Sequence, residues 1–173
     1  MLGRATLALA LLLIGAVAAA AQSGGTRNLV FTVKDLVFKV EDLMRVRETP
    51  TEVRIELPAD ILFDFDKFDI RPSAQIALQQ AGQMVRTQAK GTVRIECHTD
   101  AKGTPAYNQT LSARRAQSVQ TWLVEREGLK GVAFTARGFA ATRPAAPNTL
   151  PGGADNPDGR QKNRRVEIVY GRR

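Results

Sequence analysis

Among 173 residues there is one cysteine, Cys97, one histidine, His98, and one tryptophan, Trp122. A lone cysteine cannot close an intramolecular disulfide, and it reads as a small buried residue. A reactive or metal-binding thiolate would need a basic neighbourhood or a second ligand, and strand alternation puts His98 on the opposite side from Cys97. An enzyme would have to be assembled from His98, Asp64, Asp66 and Asp100, because no serine or cysteine nucleophile stands in a recognisable setting. No catalytic residue, cofactor or metal is expected. Acids are also few, 17 against 25 lysines and arginines, which leaves a net charge of +8. That excess favours an anionic partner such as nucleic acid, anionic lipid or cell-wall polymer, without choosing among them. Lys162, Arg164, Arg165, Arg172 and Arg173 are the cluster a nucleic-acid binder would use, yet no nucleic-acid-binding motif accompanies them.

Only one long apolar run exists, from Ala5 to Ala21 behind Arg4. It ends in Ala18-Ala19-Ala20-Ala21 before the polar Gln22-Ser23-Gly24-Gly25, the pattern of a secretory signal with a small-residue cleavage site. Uncut, the same run would sit at the short end of what spans a bilayer, and it carries no acid for a proton path. No cysteine adjoins the site, which excludes lipid modification there. Residues 1–21 are therefore expected to be a signal peptide, and cleavage would remove Arg4 and no acid. Residues 22–52 then form an N-terminal extension, apolar between Leu29 and Val46, that either packs on the domain core or docks to an envelope protein. A transmembrane barrel needs ~8 strands of ~9 to 11 residues and does not fit in this region.

With 43% hydrophobic residues the remainder suffices for one core. Glu52–Leu57 alternates like a strand with one buried face. A helix begins near Arg71-Pro72-Ser73, with Ala74, Leu78, Ala81 and Val85 as its inner stripe. Thr92–His98 is the next strand, burying Val93, Ile95 and Cys97, and Asp100 falls just past its carboxyl end. A second helix spans about Asn108–Glu127. At ~100° per residue Arg115 shares the arc of Leu111, Ala116, Val119, Trp122 and Leu123, whereas Arg114 projects roughly opposite. Arg114 thus reads as solvated surface; the head of Arg115 needs a counter-charge or a ligand, and Asp100 is the natural candidate. Residues 141–163, dense in proline and glycine, read as an exposed loop before a last strand.

The segments His98-Thr99-Asp100, Leu111-Ser112-Ala113-Arg114-Arg115-Ala116 and Asn163-Arg164-Arg165-Val166-Glu167, in this order, resemble the OmpA-like peptidoglycan-binding domain over about residues 53–170. Cys97 and Ala140 stand where that family commonly has glycine. The resemblance implies an α+β domain over 53–173, a mixed β-sheet with helices packed on one face in the order β-α-β-α-β-β. It implies a periplasmic protein, associated with the outer membrane or cell wall, that binds peptidoglycan noncovalently. Asp100 and Arg115 would hold the ammonium and carboxylate of the diaminopimelate residue in the stem peptide. Asp66, Thr99 and Asn108 would line the same pocket, and Arg165 would approach the ligand carboxylates, unless strand alternation gives that position to Arg164.

Overall fold

The computed structural model describes residues 44–172. The expected signal segment and most of the extension lie outside the described residues. Five strands form one sheet in the order β1-β2-β5-β3-β4: β1 (Arg45–Glu48), β2 (Glu52–Pro58), β3 (Ala89–His98), β4 (Phe134–Ala140) and β5 (Arg165–Arg172). All neighbours are antiparallel except β3 and β4, which run parallel. Register makes the two faces chemically opposite. Val46, Ile55, Ile168, Ile95 and Ala136 align across one face, whereas Arg45, Glu56, Glu167, Glu96 and Arg137 align across the other.

Helices α2 (Gln75–Gln88) and α3 (Pro105–Glu125) cover the apolar face, burying Leu78, Ala81, Val85, Ala116, Val119 and Leu123 against Ile55, Ile95 and Ile168. Both inner stripes are those expected from the 3.6-residue period. Proline opens each: Pro72 starts a 3-10 turn ahead of α2, and Pro105 is the first residue of α3, behind the capping hydroxyl of Thr104. Cys97 is fully buried and its thiol is pushed up to about 12 by burial, which leaves it inert.

The α+β class with helices on one face of a mixed sheet holds, with three additions to the expected order. The sheet begins at Arg45, within the segment read as an extension, and Met44 and Val46 pack against the core. A one-turn helix, α1 (Ala59–Leu62), follows β2 directly. The supposed loop 141–163 contains helix α4 (Pro157–Asn163), with Asn156 capping it by accepting from the Gly159 N–H at 3.0 Å. Asn163 at its end is fully buried and accepts from the N–H groups of Ala145 and Ala146, so this connection is pinned to the domain.

Ala140 occupies a left-handed backbone conformation (φ 46°) beside an irregularity in the β3–β4 pairing at Cys97/His98. A Cβ in that region costs about 1–2 kcal/mol, against the ~0.4–1 kcal/mol lost when glycine makes the unfolded chain more flexible. Ala140→Gly is therefore expected to raise stability by up to about 1 kcal/mol in urea unfolding. Gly138, two residues earlier, has no such latitude: a Cβ there would collide with the Ala113 amide nitrogen and the Ser112 hydroxyl, because β4 lies directly on α3.

Candidate ligand-binding cavity

A cavity of about 720 Å³ opens beyond the carboxyl end of β3. The loop 99–104, the start of α3, the segment after α1 and the residue preceding β5 line it. The lining is charged in both senses, with Asp60, Asp64, Asp66 and Asp100 facing Arg71, Lys102, Arg115, Arg160 and Arg164. A pocket that offers both signs suits a ligand that carries both.

Asp100 is nearly buried, and its two carboxylate oxygens are differently engaged. Oδ1 accepts from the Lys102 N–H at 3.0 Å, an Asx-type turn that orders the loop. Oδ2 accepts from Arg164 Nη1 at 2.8 Å and more weakly from Arg160 Nη1 at 3.5 Å. Arg164 also forks onto Asp60, Nε to Oδ1 at 3.0 Å and Nη2 to Oδ2 at 2.8 Å. The hydrogen bonds to Asp60 and then Asp100 hold its guanidinium well above the ordinary arginine pKa despite partial burial.

Arg115 is 6% exposed and has no carboxylate within ion-pair distance among the described residues. Its Nε donates to the Lys67 carbonyl at 2.8 Å and Nη2 to the Asp64 carbonyl at 3.3 Å, and the guanidinium lies 4.9 Å from the Phe63 ring centre. Burial lowers its pKa, outweighing the attraction of Asp60 and Asp66. The expectation that Asp100 is its counter-charge is corrected: the two share a cavity, but Asp100 is paired with Arg164, the residue that immediately precedes β5. Arg115 is held in place by backbone carbonyls, and Nη1 has no acceptor among the described residues. Arg114, one position earlier, is exposed over Phe68 as the helical arc requires.

The other expected residues divide. Asp66 lines the cavity in a left-handed turn (φ 58°) and accepts the Tyr107 hydroxyl, closing the turn onto α3. Thr99 lines it too, and its buried hydroxyl has no hydrogen-bond partner among the described residues. Asn108 adjoins it in a structural capacity, donating to the carbonyls of Lys102 at 2.8 Å and Asp100 at 3.3 Å. It is not the helix cap, which is Thr104.

Arg165 is a correction: it lies on the opposite face of the sheet, where Nε donates to Glu167 Oε1 at 2.7 Å. Val166 and Ile168 face the helices, so alternation sends Arg165 and Glu167 to the other side and leaves Arg164 on the cavity side. Asp60 and Arg160 were missed altogether.

On that opposite face Glu96, His98 and Glu167 approach one another closely enough to suggest a cation site. Each carboxylate is already held by guanidinium groups, Glu167 by Arg54 and Arg165 and Glu96 by Arg94 and Arg143, so the surroundings repel a cation. His98 is almost fully buried, stacked on Phe139 with ring centres 5.4 Å apart, and neither ring nitrogen has a hydrogen-bond partner among the described residues. Burial first, then repulsion by Arg165, brings its pKa down to about 4 against the opposing pull of Glu167. Below the ordinary value of 6.5 the unfolded chain takes up a proton that the folded protein refuses, so stability falls as pH drops from 6.5 towards about 4. Acidification from pH ~7.5 to ~5 is expected to cost about 2 kcal/mol in urea unfolding. His98→Phe should flatten that slope, and an unchanged slope would assign it to other groups.

A cavity lined by charges of both signs on a helix-covered mixed sheet defines the class of this molecule: an α+β domain with one candidate ligand site at the carboxyl end of β3. The OmpA family model matches residues 62–158, more than half of the sequence, and the chain belongs to the OmpA family. The chain is similar to the photosystem I P700 chlorophyll a apoprotein A2 of Gloeobacter violaceus, 42% identical over 125 residues, covering 72% of this chain and 14% of that protein. It is also similar to outer membrane porin F of Pseudomonas aeruginosa, 36% identical over 115 residues, covering 66% of this chain and 31% of the porin. The chain thus spans less than a third of either relative. Among solved structures, the cell wall anchor of the T6SS from Pseudomonas aeruginosa superposes with a TM-score of 0.66 at 29% identity, covering 82% of this chain and 94% of that one.

Proposed function

We propose that the protein binds peptidoglycan noncovalently by gripping the diaminopimelate residue of the stem peptide, and so tethers or organises the cell envelope. The observation that carries the reading is a buried, carboxylate-free Arg115 in the same cavity as Asp100, the two unpaired with each other. The side-chain end of diaminopimelate bears an ammonium and a carboxylate on one carbon. Asp100 would accept from the ammonium, in exchange for part of its contact with Arg164 and Arg160; Arg115 Nη1 and the unpartnered Thr99 hydroxyl would donate to the carboxylate. A lysine side chain at the same stem position would leave Arg115 without an anion, which gives selectivity by penalty as well as by attraction.

Similarity to a cell wall anchor and to an outer membrane porin supports an envelope setting. The polypeptide would be exported by residues 1–21 and work in the periplasm, with the binding domain beginning near the first strands of the sheet. Sedimentation with purified walls tests the reading. The protein should pellet with diaminopimelate-type peptidoglycan and stay in solution with a lysine-type wall; a folded protein that stays in solution with both would exclude it.

A further inference from the structure

A second cavity, of about 320 Å³, lies on the charged face of the sheet between β1, β2, the start of β5 and the connection 145–162. It shares no lining residue with the Asp100 cavity. Arg45, Arg47, Arg54, Lys162 and Arg165 line it against only Glu56 and Glu167, an excess of positive charge in a concave site.

The two carboxylates do not saturate these cations. Glu167 is taken by Arg54 and Arg165. Glu56 lies 3.8 Å from Arg45 and 3.9 Å from Arg47, outside hydrogen-bond distance, so both guanidinium groups keep their donors free of acceptors among the described residues. Lys162 likewise has no ion-pair partner among them. The register adds a second sign of an unfilled role: Arg47 stands directly opposite Arg54, and like charges paired across antiparallel strands are destabilising. An anion between them converts that repulsion into attraction. Arg165 gives the site a fixed floor, since it is 7% exposed and held by Glu167 and by the carbonyls of Asn163 and Arg143.

We propose that this cavity binds a phosphate group. A phosphate monoester carries about −1.5 to −2 charge and three strong acceptor oxygens, which matches converging guanidinium forks better than a single carboxylate does. The group arrives either free in solution or on an anionic lipid headgroup.

The test titrates the full chain with inorganic phosphate by calorimetry at constant ionic strength in chloride. Saturable binding is expected, weakened about tenfold or more in the Arg45→Gln/Arg47→Gln double variant, whose changes are on an exposed edge strand. Binding that is equal in the double variant, or lost instead in Arg115→Ala, would overturn the proposal. In a second arm, phosphatidylcholine vesicles with and without phosphatidic acid are offered to wild type and double variant. A phosphatidic-acid-dependent gain that needs Arg45 and Arg47 identifies a lipid headgroup; saturation by inorganic phosphate without that gain identifies a soluble source. Absence of saturable binding in both arms overturns the proposal.

Discussion

Asp100→Ala is expected to weaken binding of a diaminopimelate-containing muropeptide roughly a hundredfold, and Arg115→Ala by a similar factor. The two losses have different origins. Removing the Asp100 carboxylate deletes the acceptor for the ligand ammonium, and it also frees Arg164 and Arg160, whose positive charges then repel that ammonium. Removing Arg115 takes away a guanidinium held rigidly by the Lys67 and Asp64 carbonyls, so the ligand carboxylate is left buried with only the neutral Thr99 hydroxyl as donor and no counter-charge. Arg114→Ala, at an exposed position on the same helix, changes net charge by the same amount as Arg115→Ala and should bind like wild type. Calorimetric titration of the three variants checks this. Equal weakening in Arg114→Ala and Arg115→Ala, with no loss in Asp100→Ala, would mean diffuse electrostatic attraction rather than a charge-matched pocket.

The second large effect is expected at Glu167, on the far side of the sheet. Its carboxylate, 5% exposed, accepts from Arg54 and from Arg165 Nε. Burial alone would raise its pKa, but the Arg165 hydrogen bond and the charges of Arg165 and Arg54 prevail and hold it below the usual carboxylate value. Glu167→Ala leaves Arg165 buried with only carbonyl acceptors and with Arg54 and Arg143 nearby, a loss of about 3–5 kcal/mol. Glu167→Gln keeps the shape and one acceptor oxygen and should fall between that and wild type. Urea unfolding of both measures it; a loss below ~1 kcal/mol for the alanine variant would show that Arg165 escapes to solvent without cost. The effect does not require the ionic lattice to outperform an apolar one, since it measures the cost of breaking a buried pair.

Much of this architecture was legible because single residues carried unambiguous periodic signals. Val93, Ile95 and Cys97 alternate, and all three are fully buried. The angular argument separating Arg114 from Arg115 is realised in α3, where one is exposed and the other 6% exposed. The choice between Arg164 and Arg165 was also encoded: Val166 and Ile168 must face the core, so Arg164, two positions before Val166, takes the helix side. It was obscured because a resemblance to a motif names residue types and not the face each occupies.

Helix α4 is hidden in the sequence for a different reason. Asn156 and Pro157 are a sound start signal and Arg160 and Lys162 suit its last turn, but the surrounding glycines and prolines mask a helix of only seven residues. Gly159 itself is required by packing, since a Cβ there would strike the Pro147 carbonyl. The partner of Asp100 was out of reach of local pattern, because it joins residues separated by 64 positions through the antiparallel pairing of β3 and β5.

A crystal structure of the protein with a diaminopimelate-containing stem peptide is the most direct test of the central claim. The account requires the ligand ammonium on Asp100 and its carboxylate on Arg115, with Arg164 displaced from its present contact with Asp100 Oδ2. A peptide bound elsewhere, with Asp100 still capped by Arg164 and Arg115 facing an empty cavity, would contradict it.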